Sequence, residues 1–199
     1  MPTHAVIPYA SYLHLLPAFL QQLDMESNGK RVNKAGQPVD YQTGPVIWGG
    51  VGSDTQHSFH QLLHQGTQVA GIDFILFKES LDPIGDQQTM LFANGIAQAQ
   101  ALACGRTLAQ ADNNPHRVMP GDRPSNLLLC DRLTPESLGA LLALYEHKVF
   151  TQGVIWGINS FDQFGVELGK ALANQCLAAL ESKDESTIGA IEWFKTSKK

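Results

Sequence analysis

The chain has 199 residues, of which 43% are hydrophobic and 17% charged, so it can bury a core in one domain and has the balance of an ordinary globular protein. Its net charge of -5 excludes a general nucleic-acid binder, which needs clustered basic residues. The longest apolar stretch, LGALLALY at 138–145, falls well short of the roughly 20 residues that a spanning helix needs, so a membrane protein is not expected either.

The opening MPTHAVIPYA lacks the basic start and long apolar core of a secretory leader. Cys104, Cys130 and Cys176 are odd in number and show no CxxC spacing, and they read as reduced core residues. Both features lead us to expect a soluble, cytoplasmic protein.

The first predicted strand is AVIPY (5–9). A helix follows over about 10–25, with Leu13, Leu16, Phe19, Leu20 and Leu23 on its apolar face and a kink or restart expected at Pro17. Glu26 continues that face just before Gly29, a natural stop. It is therefore expected to point inward, at the negative end of a helix dipole where a cation would be better placed. After a loop over 27–44, the strand PVIWGG (45–50) runs into Gly49, Gly50 and Gly52. Ser53 and Gln56 form a capping-box pattern opening a helix over 54–65. The strand GIDFILF (71–77), a helix over 87–104 and the strand SNLLLCD (125–131) come next. Thr134, Pro135 and Glu136 form a good opening for a helix over 135–150, and further helical patterns cover 161–181 and 187–196.

Short apolar strands alternating with helices predict an α/β fold, a three-layer α/β/α sandwich around a mostly parallel sheet whose strands are buried on both faces. In such sheets ligands sit beyond the carboxyl ends of the strands, which makes WGGVGSDTQH (48–57) the most promising edge and an anion a reasonable ligand there.

His57, His60 and His64 are spaced to share one helix face. A zinc site needs three or four converging ligands, and the sequence places no cysteine or carboxylate beside them. Helix-surface or hydrogen-bonded core histidines are the simpler reading. His57, nearest the turn, is best placed to exchange a proton with a ligand near neutral pH. Gln163, Glu167 and Lys170 align as one stripe. It reads equally as a solvated face or, because Gly165 and Gly169 weaken the helix, as a place where another backbone or a ligand comes close. Glu26 itself is either an exposed, frayed helix end or a partly desolvated general base, with Gln22 one turn earlier to hold a substrate hydroxyl.

The stretches DMESNGK (24–30), GSDTQHSFHQLLHQGT (52–67) and NSFDQFGVELGK (159–170), with GDRPSN (121–126) and ALYEHKVFTQGVIW (143–156), together resemble the glucose-6-phosphate isomerase family. The likeness runs from THAVIPY to the final FK and covers the C-terminal part of the family's chain. It implies that residues 1–199 form a flavodoxin-like sugar-isomerase (SIS) domain without the preceding domain. It also implies interconversion of glucose 6-phosphate and fructose 6-phosphate through ring opening and a cis-enediol, with no metal or cofactor.

Carried over by motif, Glu26 is the residue that moves a proton between C1 and C2, His57 and Lys170 serve ring opening, and Gln22 and Gln163 contact substrate. Gly50, Val51, Asp54 and Thr55 depart from residues common in the family. The family's phosphate-binding Ser/Thr cluster and an arginine belong to the preceding domain, so little activity is expected of this chain alone. Family members are homodimers whose active site is shared, with the histidine supplied by the neighbour. The contrasting expectation is a non-catalytic sugar-phosphate-binding module on the same fold.

Overall fold

The four apolar runs form strands because each is short, rich in β-branched and aromatic residues and bounded by turns. In the computed structural model, which describes residues 1–181 and 189–196, they are β1 (Thr3–Pro8), β2 (Val46–Gly49), β3 (Gly71–Glu79) and β4 (Ser125–Arg132). They form one parallel sheet in the order β2-β1-β3-β4. The chain divides into two units, Met1–Phe161 and Asp162–Lys199, and the sheet belongs to the first.

Alternation along the strands sends side chains to two cores. On one face Ala5, Ile7, Ile72, Phe74 and Leu76 pack with Leu63 of α3 (His60–Gln65) and with Ala99 and Leu102 of α4 (Gln87–Cys104). On the other, Val6, Ile47, Ile75 and Phe77 meet Leu16 and Leu20 of α1 (Leu16–Leu20) and Leu141 and Tyr145 of α5 (Pro135–Ile155). This is the predicted three-layer α/β sandwich. The central strands β1 and β3 are buried on both faces, as expected. The edge strand β4 is not, since Leu127 and Leu129 are 41% and 59% exposed. An edge strand has one neighbour rather than two, and α4 lies on β3 more than on β4.

Local signals at the helix starts act as read. Thr134 caps α5 by accepting from the Ser137 amide, and the Ser137 hydroxyl accepts from the Thr134 amide, a reciprocal capping box with Pro135 at the opening. Pro17 restarts the first helical segment, because a 3₁₀ turn (Ser11–Leu13) precedes α1 and the proline sits in the first turn of α1. Cys130 and Cys176 are half-buried, but Cys104 is exposed at the end of α4 and so is not a core residue.

A buried polar knot ties the sheet to α5. Asp73 of β3 accepts from Tyr145 Oη at 3.0 Å and Asn126 Nδ2 at 2.8 Å, and its Oδ2 lies 2.7 Å from His4 Nε2. Burial alone would raise the carboxyl pKa. The hydrogen bond and charge of His4, with the bonds from Asn126 and Tyr145, more than offset this and hold it below the usual value. Burial, followed by the Asp73 charge and its hydrogen bond, pushes the Tyr145 hydroxyl well above the ordinary phenol range.

In the second unit, a 3₁₀ turn at Phe164–Val166 leads into α6 (Glu167–Glu181), and α7 (Gly189–Thr196) closes the described chain. The predicted start of this last helix at 187 lies outside the described residues.

Candidate functional site

The segment after β1 carries two of the candidate residues, and its geometry differs from the simple helix expected. After α1 the chain widens into a π-helical stretch, Gln21–Glu26. The buried residues of this segment are Leu13, Leu16, Pro17, Leu20, Asp24, Ser27 and Asn28, spaced three and four apart. That spacing turns one side of the segment inward, centred on Leu20. The inward carboxylate is therefore Asp24, 1% exposed, and not Glu26. Glu26 is exposed, as are Gln22 and, at 41%, Phe19. Our expectation that Glu26 points into the core is thus corrected. Phe19 and Gln22 on the same face are exposed as well, so that face looks outward and the partly desolvated environment read from it is not there. Lys30 Nζ closes the carbonyl end of this segment by donating to the backbone oxygens of Glu26 at 2.6 Å and Ser27 at 3.0 Å.

Beyond β2 the glycine-rich turn folds as its composition demands. Gly49 sits at φ +146°, with the Val6 carbonyl oxygen where a Cβ would be, so no other residue fits without moving the central strand. The helix that follows is a short α2 (Gly52–Thr55) begun by Val51. The expected Ser53–Gln56 capping box does not form. Ser53 Oγ donates to Asp54, while Gln56 Nε2 reaches across 3.1 Å to Tyr9 Oη at the end of β1. Residues 56–59 form a turn, so the single predicted helix over 54–65 is two pieces. His57 lies in that turn and is exposed. It does not share a helix face with His60 and His64, as the spacing had suggested.

His60 is 4% exposed, stacked on Phe59 with ring centroids 5.6 Å apart, and 6.2 Å from the ring of His64. Neither of its ring nitrogens has a hydrogen-bond partner among the described residues. His64 Nε2 meets Gln98 Oε1 at 2.8 Å. Groups of three or more His, Cys, Asp or Glu side chains able to hold a metal are absent among the described residues. Burial lowers the His60 pKa; a backbone contact at Thr55 works the other way, and charge on His64 lowers it again. Below the ordinary value of 6.5 the unfolded chain takes up a proton that the folded His60 refuses. Stability contributed at this site is thus present above pH 6.5 and falls as the pH drops through it. Urea melts between pH 8 and pH 5.5 should show a loss that His60→Leu removes; the same slope in both proteins would contradict this origin.

Gln163, Glu167 and Lys170 lie in the second unit and are all exposed. Gln163 precedes the 3₁₀ turn, while Glu167 and Lys170 occupy the first turn of α6. A Cβ built on Gly165 or Gly169 would meet nothing within 4 Å, so close approach by another part of the described chain does not explain those glycines. Within the first unit, Glu26 and His57 share no hydrogen bond among the described residues. Reading the sequence alone missed Asp24, Asn28 and Lys148, which are joined in the core. The signal that could have found Asp24 and Asn28 is the three-and-four spacing continued from Leu13, Leu16 and Leu20; nothing local pointed to Lys148.

The described residues contain no helix long and apolar enough to cross a membrane. The phosphoglucose isomerase family model matches residues 1–192. Over 190 residues the chain is 59% identical to a glucose-6-phosphate isomerase of Gloeobacter violaceus, covering 92% of this chain and 35% of that protein. It is 56% identical to the glucose-6-phosphate isomerase of Syntrophus aciditrophicus over 194 residues, 94% of this chain and 36% of that protein. Among solved structures, a glucose-6-phosphate isomerase from Chlamydia trachomatis superposes with a TM-score of 0.86 at 45% identity, covering 98% of this chain and 38% of the other. The chain thus spans little more than a third of the length of these relatives. A family match running almost from end to end, with relatives more than half identical over nine-tenths of the chain, leads to one conclusion: the chain belongs to the phosphoglucose isomerase family.

Proposed function

We propose that this chain supplies the sugar-isomerase domain of an enzyme interconverting glucose 6-phosphate and fructose 6-phosphate, and that Glu26, His57 and Lys170 act in that reaction. The observation that carries the proposal is the match over residues 1–192, which takes in the three stretches holding these residues. Their exposure supports the reading: Glu26, Gln22, His57, Gln163 and Lys170 all present side chains at the surface. Isomerisation of a 2-hydroxy aldehyde needs a base to lift the C2 proton and return it at C1, and donors to steady the enediol oxygens. Glu26 is the base in this scheme. His57 and Lys170 move the ring-oxygen and hydroxyl protons when the sugar opens, and Gln22 and Gln163 hold hydroxyls. Substrate phosphate is gripped in the part of the relatives that this chain does not span, so the chain by itself is expected to turn over little substrate.

The shared site is proposed to form in a homodimer, with His57 of one copy serving the other. Large apolar side chains on α5, with Phe150 at 56% exposure and Ile155 at 75%, support a covered surface there. The test is a graft in which the matching region of the Gloeobacter violaceus relative is exchanged for this chain. Formation of fructose 6-phosphate, with solvent hydrogen entering the sugar, is the expected result. A folded graft that binds glucose 6-phosphate without any exchange at C2 would overturn it in favour of a non-catalytic binding module.

A further inference from the structure

Glu26 stands on a stretch of backbone that is fastened from inside. A π-helical stretch is rare and, where it persists, is often found at a functional site. Here Asp24 Oδ2 accepts from Lys148 Nζ of α5 at 3.0 Å, and Asp24 Oδ1 accepts from Asn28 Nδ2 at 3.2 Å. The same Asn28 amide donates to the Val149 carbonyl at 3.1 Å, and its Oδ1 accepts from Ser160 Oγ at 2.7 Å. Gly153 makes this possible, since a Cβ there would sit 2.0 Å from the Ser160 hydroxyl. A carboxylate as deeply buried as Asp24 is tolerated only when paired, so the ion pair and the amide are a condition of the coil having this shape.

We propose that Asp24, Asn28 and Lys148 are positioning residues for Glu26. Holding positions 24 and 28 against α5 fixes the C-terminal end of the widened coil and presents Glu26 outward at one angle. This rests on the proposed role of Glu26 as the base. None of the three is assigned contact with the reacting atoms.

The test uses the grafted full-length protein with Lys148→Met, which removes the charge, and Lys148→Arg, which keeps it. A small misplacement of a catalytic group is expected to lower kcat about 10- to 100-fold in the Met variant. KM should stay within about threefold, and Arg should recover most of the loss. Amide hydrogen exchange should rise about tenfold or more across residues 25–30 in the Met variant while β3 keeps its protection. Unchanged kcat at a temperature where the variant is fully folded would overturn the proposal. So would a uniform loss of protection through the whole sheet. If Lys148→Met does not fold, Asn28→Ser is read by the same measurements. An inactive graft before any substitution would count against the proposed function alone, and the exchange pattern would then decide: local deprotection at 25–30 supports the positioning role, and unchanged protection there refutes it.

Discussion

Replacing Glu26 by Gln in the grafted enzyme should lower isomerisation about 10³-fold, the range expected when a general base is lost. The amide keeps the shape and hydrogen-bonding reach of the side chain but cannot take a proton from carbon. Hydrogen exchange at C2, followed by NMR in deuterated water, should disappear along with turnover. Ring opening, assigned to His57 and Lys170, should survive, so open-chain and cyclic substrate should suffer the same loss. In His57→Ala the open-chain form should be favoured over the ring. Glu26→Gln retaining activity to within about tenfold would remove it from the role of base. Because Glu26 is exposed in this chain, the prediction rests on the geometry of proton transfer.

The second large effect concerns stability. Asp73→Ala is expected to cost about 3–5 kcal/mol, because it strands the Tyr145 hydroxyl, the Asn126 amide and His4 in a core built around a carboxylate. Against a typical total of about 5–15 kcal/mol for a domain, that would bring the chain close to unfolding. Tyr145→Phe, which removes one donor and leaves the others, should cost about 1 kcal/mol. Urea titrations of the two variants at neutral pH separate these outcomes; equal costs would show that Asp73 is not the centre of the knot. The pH dependence has a definite sign. The folded Asp73 carboxyl lies below its ordinary value of 3.8, so its contribution is fully present above that value and is lost as acid protonates it below. His60 acts at a higher pH, near 6.5 and below, and the two should appear as separate steps in wild-type melts.

The sheet was legible because its signals are local. VIP, VIWG, FILF and LLLC are short apolar runs bounded by turn residues, which marks them as strands without telling the buried centre from the more exposed edge, and Thr134–Pro135 announces the long helix by itself. Family membership was legible too, since MESNGK, SDTQH and FDQFGVELGK are specific in order and spacing. Side-chain direction after Leu20 was not legible. A face centred on Phe19 and Leu23 puts Glu26 inward, whereas the buried face is centred on Leu20 and carries Asp24 and Asn28. The deciding force comes from Lys148 and Asn28, 124 and 4 residues away from Asp24 in sequence. His57 was misplaced for a related reason: the turn at 56–59 depends on Gln56 reaching Tyr9, a contact made across the fold.

The widened coil between Gln21 and Glu26 makes chain length itself part of the machinery. A π turn amounts to one residue more than an α-helix would use for the same span. Deleting any one residue there would let the segment relax to ordinary α pitch over that same span, removing the widened coil while the flanks keep their places. Asp24 and Glu26, inside the stretch, would leave the backbone at new angles between those fixed flanks, so a single-codon deletion should be worse tolerated than most substitutions at the same sites.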